Sequence, residues 1–170
     1  MIFCLEGPDG TGKSTLAQRL ANEVKGSIIH AYYKKDWNMK NYHESIIKAA
    51  SLLSDFNPVI LDRWAPSEHV YAKVFREGES YNTKTLINKW KDKIVWIYCR
   101  NDNAVANHLK NKEVRNEMFL DMTRVVKEFD QYVKSTPELN WLIFDFDKID
   151  TNEFLLYVDG YVTNRETIRE

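Results

Sequence analysis

Eight consecutive residues, Gly7-Pro8-Asp9-Gly10-Thr11-Gly12-Lys13-Ser14, carry the densest chemistry in this chain. They fit G-x-x-x-x-G-K-[ST] at every fixed position, the spacing of a phosphate-binding loop. Glycines let a backbone curl so that its N–H groups converge on phosphate oxygens. A helix starting at the end of the loop adds unpaired N–H groups and the positive end of its dipole. In such a loop Lys13 has the reach for the β- and γ-phosphates, and the Ser14 hydroxyl can ligate Mg²⁺. Gly7, Pro8, Gly10, Thr11, Gly12, Lys13, Ser14 and Thr15 are therefore the candidate triphosphate-binding residues.

A second pair of groups stands at Asp62-Arg63. Asp62 closes the apolar run Val59-Ile60-Leu61, where an acid can hold Mg²⁺ or its bound water beside Ser14. The planar Arg63 guanidinium can fork onto a second phosphate and align it with the first. A magnesium acid beside a phosphate-gripping arginine suits transfer between two phosphorylated molecules.

These groups need a scaffold that brings them to one edge. Met1–Leu5 is a short apolar run ahead of the loop, and Leu16, Leu20 and Val24 follow it at helical spacing. Ser27–Tyr33, Val59–Asp62, Ile94–Cys99 and Trp141–Phe144 read as four more strands. Between them lie helical patterns at 43–54, 66–75 and 82–92. A further helix follows Asn101, a long one carries Phe119, Met122, Val126, Phe129 and Val133, and a last one starts at Asp150. Lys34–Tyr42 lacks periodicity and reads as loop. Alternating strands and helices mean an α/β fold, a five-stranded parallel sheet with helices on both faces. Ligands of such sheets bind at the carboxyl edge of the strands.

The chain has 170 residues, enough for one domain with a substantial core, so 1–170 is expected to be a single domain. It is 44% hydrophobic and 29% charged, a composition that folds. Twenty-four basic against 25 acidic residues give a net charge of −1, which argues against a nucleic-acid-coating surface. No apolar run approaches membrane-spanning length, and a strand begins at once without a secretory leader. Cys4 and Cys99 fall in strand-like runs and read as reduced core residues. We therefore expect a cytoplasmic protein with no nucleic-acid or membrane partner.

The motifs as a set resemble those of thymidylate kinases, within the nucleoside monophosphate kinases of the P-loop group. Leu5-Glu6-Gly7-Pro8-Asp9-Gly10-Thr11-Gly12-Lys13-Ser14-Thr15 carries an acid inside the loop, as that family does. Asp62-Arg63-Trp64-Ala65-Pro66-Ser67 is similar to the family's Asp-Arg-Tyr element followed by Ser. Tyr71 stands where relatives often carry an aromatic that crowds the sugar 2′ position. The resemblance implies a three-layer P-loop kinase fold. It implies ATP and Mg²⁺ as cofactors and transfer of the γ-phosphoryl of ATP to a deoxynucleoside monophosphate, dTMP first. Asp9 would face the acceptor 3′-hydroxyl, and Arg63, Trp64, Ser67 and Tyr71 would line the acceptor site. Asp62 and Ser14 would hold the metal, with Lys13 and Arg63 as catalytic cations. The related enzymes are commonly dimers, so the resemblance admits a homodimer.

The chain also departs from the pattern. Trp64 replaces Tyr, Ala72 sits where Gln is frequent, and the family's base-stacking Phe and base-reading Arg have no clear match. Tyr33, Trp37, Tyr42 and His43 offer a stacking face instead. Gly10 occupies the loop position where some relatives carry a catalytic Arg. The basic run around 110–116 lies where the family has its lid, so Arg115 and then Lys112 are the candidate lid cations. Two other readings stay open: a nucleoside or small-metabolite P-loop kinase, and a nucleotide-binding ATPase or switch module.

Overall fold

A computed structural model describes residues 1–76, 78–106 and 116–167. Five strands form one parallel sheet: β1 (Ile2–Glu6), β2 (Ser27–His30), β3 (Val59–Asp62), β4 (Ile94–Arg100) and β5 (Leu142–Asp145). Their order is β2-β3-β1-β4-β5. β1 is central and pairs with β3 on one side and β4 on the other. The chain winds to one side of β1 first and then to the other. The resulting switch point opens a crevice at the carboxyl ends of β1 and its neighbours. A parallel sheet with helices on both faces is what the strand–helix alternation predicts.

Alternate residues of β1 face opposite layers, as the pleat requires. Phe3 and Leu5 pack with Leu16 and Leu20 of α1 (Lys13–Val24) and with Phe154 and Val158 of α6 (Thr151–Thr167). Ile2 and Cys4 face Ile47 of α2 (Met39–Leu53) and Leu86 of α4 (Thr83–Trp90). Beside that layer, Val70 and Val74 of α3 (Ala65–Phe75) meet Tyr98 of β4 and Phe129 of α5 (Asn116–Ser135). The buried stripe of α5 runs through Met122, Val125 and Phe129, with Val126 at its margin. Cys4 and Cys99 are both buried and free of any disulfide.

Two segments differ from the sequence reading: β2 ends at His30, where its pairing with β3 ends at Asp62, rather than at Tyr33, and α2 starts earlier than 43. Residues 39–42, assigned to a loop, are the first turn of α2. Asn38 caps that turn, its side-chain oxygen accepting from the Asn41 N–H at 3.1 Å. Met39 is buried beneath it and extends the helical spacing of His43, Ile46, Ile47 and Ala50 back to the cap. Among the described residues no helix is long and apolar enough to cross a membrane.

Candidate active site

The phosphate loop joins β1 to α1 at the centre of the sheet. Gly7 has φ 145° and Gly12 φ 78°, conformations that L side chains rarely adopt. A Cβ on Gly7 would also strike the Cys99 carbonyl oxygen, and one on Gly12 the Phe146 ring. No side chain caps α1, and its first turn contains no acid. The first N–H groups of the helix are left for a ligand anion.

Lys13 folds back into the loop. Its ammonium donates to the Pro8 carbonyl and stands 3.4 Å from Thr11 Oγ1. Thr11 Oγ1 donates to the same carbonyl at 2.8 Å. Lys13 is only 5% exposed. Burial, aided by the nearby Arg63 charge, lowers its amine to about 7. Asp9 and Asp62 pull it back up in part, and a bound phosphate would add to that opposite charge.

β3 delivers the second group of residues. The Ser14 hydroxyl donates to Asp62 Oδ2 at 2.8 Å, and His30 Nδ1 lies 2.8 Å from the same oxygen. Asp62 Oδ1 is buried and, among the described residues, has no hydrogen-bond partner. A buried carboxylate oxygen without a donor, next to a serine hydroxyl, fits a hard cation with oxygen ligands. Among the described residues no group of three His, Cys, Asp or Glu could hold a metal alone. Mg²⁺ commonly takes one or two protein oxygens and the rest from phosphates and water, so this small donor set agrees with it.

Arg63 occupies the left-handed region, φ 74°, uncommon for a residue with a side chain. Two contacts pin this corner to β1. The Arg63 N–H donates to the Leu5 carbonyl at 3.1 Å, and the Trp64 N–H to Glu6 Oε1 at 2.7 Å. Held this way, the Arg63 guanidinium donates to Asp9 Oδ1, to the Gly7 carbonyl at 3.0 Å and to Ser67 Oγ at 3.1 Å. It also stands 3.3 Å from the Tyr71 hydroxyl and over that ring, 5.1 Å from its centroid. Burial pushes the Tyr71 phenol up to about 12, against the pull of Arg63.

Two cavities meet here. One, of about 210 Å³, is lined by the loop residues Gly10, Gly12, Lys13, Ser14 and Thr15. The other, of about 240 Å³, is lined by Tyr33, Ser67 and Tyr71 among others. Asp9, His30 and Arg63 line both. Trp64 contributes a wall from the core: it is 1% exposed, lies against Trp96 and donates through Nε1 to the His43 carbonyl at 3.0 Å. Trp37 lines neither cavity and instead meets Tyr42 edge-on. Arg115, Lys112 and the rest of 110–115 in the expected lid lie outside the described residues, and Asn116 begins α5.

No family model matches the chain. It is 31% identical over 124 residues to YorR, an uncharacterized protein of the SPbeta prophage of Bacillus subtilis, covering 71% of this chain and 72% of YorR. It is 32% identical over 108 residues to a candidate thymidylate kinase of Acidianus bottle-shaped virus, covering 58% of this chain and 68% of the viral protein. The chain belongs to the thymidylate kinase-like P-loop kinases.

Solved structures agree with that family. YorR in complex with phosphorylated GDP superposes with a TM-score of 0.78, at 25% identity over 98% of both chains. Thymidylate kinase of Ehrlichia chaffeensis gives 0.58 at 17% identity, over 95% of this chain and 98% of that one. Deoxyadenosine kinase of M. mycoides with dCMP and dCDP gives 0.59 at 16%, over 96% and 99%. These last two show the fold.

Within this kinase fold strand pairing gives His30 and Glu6 places in the site that no local pattern shows. His30 ends β2 in register with Asp62, a placement that only strand pairing reveals. Glu6, at the end of β1, is fully buried and accepts from Trp64 N–H, Ser67 Oγ and Cys4 Sγ. Burial pushes its carboxyl up, while the Ser67 hydroxyl and the Arg63 charge oppose that. Glu6 thus braces the corner that aims Arg63. Replacing Glu6 with Ala is expected to cost about 1–3 kcal/mol in urea unfolding, because buried donors lose their acceptor. Glu6→Gln, which keeps a carbonyl for the Trp64 N–H, is expected to cost less; equal losses would show that the acceptor is not what matters.

Proposed function

We propose that this kinase transfers the γ-phosphoryl of ATP to a deoxynucleoside monophosphate, with dTMP as the first acceptor to test. The observation that carries the reading is the meeting of two cavities at Asp9, His30 and Arg63. A phosphoryl group passing between two bound nucleotides needs such a shared wall. YorR, bound to phosphorylated GDP, supports a nucleotide site in this family and adds guanine nucleotides to the acceptors worth testing.

In this reading the loop N–H groups and Lys13 hold the donor triphosphate, with Pro8 and Thr11 shaping the loop and Thr15 following it. Ser14 and Asp62 would hold Mg²⁺, which when bound neutralises charge on the phosphate oxygens. Arg63 exchanges its present acceptors for the acceptor phosphate and keeps it in line. Asp9, released from Arg63, accepts from the 3′-hydroxyl. Ser67 and Tyr71 close the sugar side, with Tyr33 toward the base. The lid cation is assigned to Arg115, with Lys112 second. Holding two phosphates at one point supplies most of the catalysis, since little covalent chemistry falls to the protein.

A panel of deoxy and ribo monophosphates and free nucleosides, read as ADP release from ATP, tests the proposal. Turnover with a monophosphate and little with its nucleoside supports it. Acceptor-independent ADP release, or turnover confined to nucleosides, overturns it. Tyr71 stands beside Arg63 and Asp9, so a deoxy acceptor is expected to be favoured over its ribo form by about 1–3 kcal/mol in kcat/KM. In Tyr71→Ala that preference is expected to shrink severalfold; an unchanged ratio would remove Tyr71 from the sugar site.

A further inference from the structure

On the wall shared by the two cavities Asp9 and Arg63 bind each other, while His30 turns to Asp62. His30 ends β2, and strand register sets it beside Asp62 of β3. Residues paired across neighbouring strands present their side chains to one face, so the imidazole reaches the carboxylate. Nδ1 lies 2.8 Å from Asp62 Oδ2. The next residue adds a second tie, the Ala31 N–H to the Asp62 carbonyl at 3.1 Å. The Asp62 side chain is 3% exposed, whereas His30 is partly open to the cavities and packs its ring against Tyr32, 4.4 Å between centroids.

An ionised carboxylate only accepts, so Nδ1 carries a proton and donates it. Ser14 Oγ donates to the same Oδ2, also at 2.8 Å. Two donors thus occupy one oxygen. The other, Oδ1, is buried and has no hydrogen-bond partner among the described residues. One donor would not produce this division. The carboxylate torsion is broad and two-fold, so with Ser14 alone either oxygen could accept from it. The two donors come from different segments, the head of α1 and the end of β2. Together they fix the carboxylate plane and leave Oδ1 as the open ligand. The Ser14 hydrogen also lies on Asp62, which leaves the Ser14 lone pairs for an ion. Mg²⁺ demands near-ideal octahedral geometry, so the orientation of each protein oxygen counts.

We propose that His30 is a positioning residue for the cation: its Nδ1–H holds Asp62 Oδ2 and so reserves Oδ1 for Mg²⁺. It acts through Asp62 and not as a ligand. Groups that orient a metal ligand in this way typically carry about 10- to 100-fold in metal affinity. The inference rests on the cation standing at Ser14 and Asp62.

The test measures Mn²⁺, which takes the same oxygen ligands, by electron paramagnetic resonance on the complex of the full chain with ADP. Wild type, His30→Phe, His30→Asn, His30→Gln and Asp62→Asn are compared. His30→Phe keeps a ring without a donor and is expected to bind Mn²⁺ at least about tenfold more weakly. His30→Asn places an amide N–H where Nδ1 stands and should stay within about threefold of wild type. His30→Gln places the amide one bond farther on, at the Nε2 position, and should resemble His30→Phe. A role in packing alone would not separate Asn from Gln. ADP affinity in EDTA should be the same in every variant. Should His30→Phe lose its circular-dichroism signal, the Asn and Gln variants carry the comparison. Wild-type Mn²⁺ binding in His30→Gln beside a loss in Asp62→Asn overturns the role of His30 and leaves the metal site standing. Binding as weak in His30→Asn as in His30→Gln overturns it too. Unchanged binding in Asp62→Asn overturns the metal site and this inference with it. The Mn²⁺ readout needs no acceptor, so its outcome is separate from that of monophosphate transfer.

Discussion

Replacing Lys13 with Ala is expected to lower kcat at least about a hundredfold, the scale of losing one positioned charge in the transition state. The fold is expected to survive. Lys13 is buried in the loop, where its ammonium donates to the Pro8 carbonyl and stands 3.4 Å from Thr11 Oγ1. Burial already drives its amine down to about 7, so the ligand-free protein gains little from the charge. The loop keeps its shape without it, through the Thr11 bond to Pro8 and the positive-φ glycines. With a triphosphate bound, the same ammonium faces oxygens on which charge develops in a site shielded from water, where it counts most. Turnover by ADP release, beside circular dichroism and thermal unfolding, checks this. Lys13→Met serves as a second variant that keeps the buried stem without the charge. Near-normal turnover in either folded protein would sink the loop assignment.

Replacing Arg63 with Ala is expected to weaken acceptor binding by about 2–4 kcal/mol and donor binding much less. The residue sits, with its partner Asp9, on the wall common to both cavities, yet its other side-chain partners Ser67 and Tyr71 line the acceptor side. The backbone there adds a control. At φ 74° a residue with a Cβ is strained, whereas glycine is not. Arg63→Gly and Arg63→Ala should thus lose the acceptor alike, while Arg63→Gly unfolds at higher urea by up to about 1 kcal/mol. Arg63→Lys keeps a charge without the planar fork and should recover only part of the affinity. Calorimetric titrations with dTMP and with a non-hydrolysable ATP analogue separate the two sites. Lost ATP affinity beside intact acceptor affinity would reverse the assignment.

The two predictions differ in how far the sequence alone supports them. Lys13 lies in a contiguous motif whose chemistry is local: glycines for curvature, a helix start for N–H groups, a lysine for reach. Apolar runs, glycines and helical periods likewise mark five strands and their alternating helices, and alternation leads to a parallel sheet. Asp62 is legible for a similar reason, as a carboxylate closing an apolar run at the edge where ligands bind. Contacts between distant segments are not legible in this way. His30 meets Asp62 only because β2 lies next to β3, a neighbour 32 residues away that no local pattern announces. Glu6 reads as a polar residue before a glycine turn, yet strand pairing buries it and makes it the acceptor for the Trp64 N–H. Arg76 and Glu68 resemble any solvated helical charges until α3 packs beside Tyr33 and turns them into one wall of a cavity. Trp37, an apparent stacking candidate, turns instead onto Tyr42. The sequence by itself determined the sheet, the phosphate loop and the acid–arginine step, because each is written in neighbouring residues. The tertiary structure alone decided which side chains share a cavity, because that depends on strand order and on which polar groups burial forces into pairs.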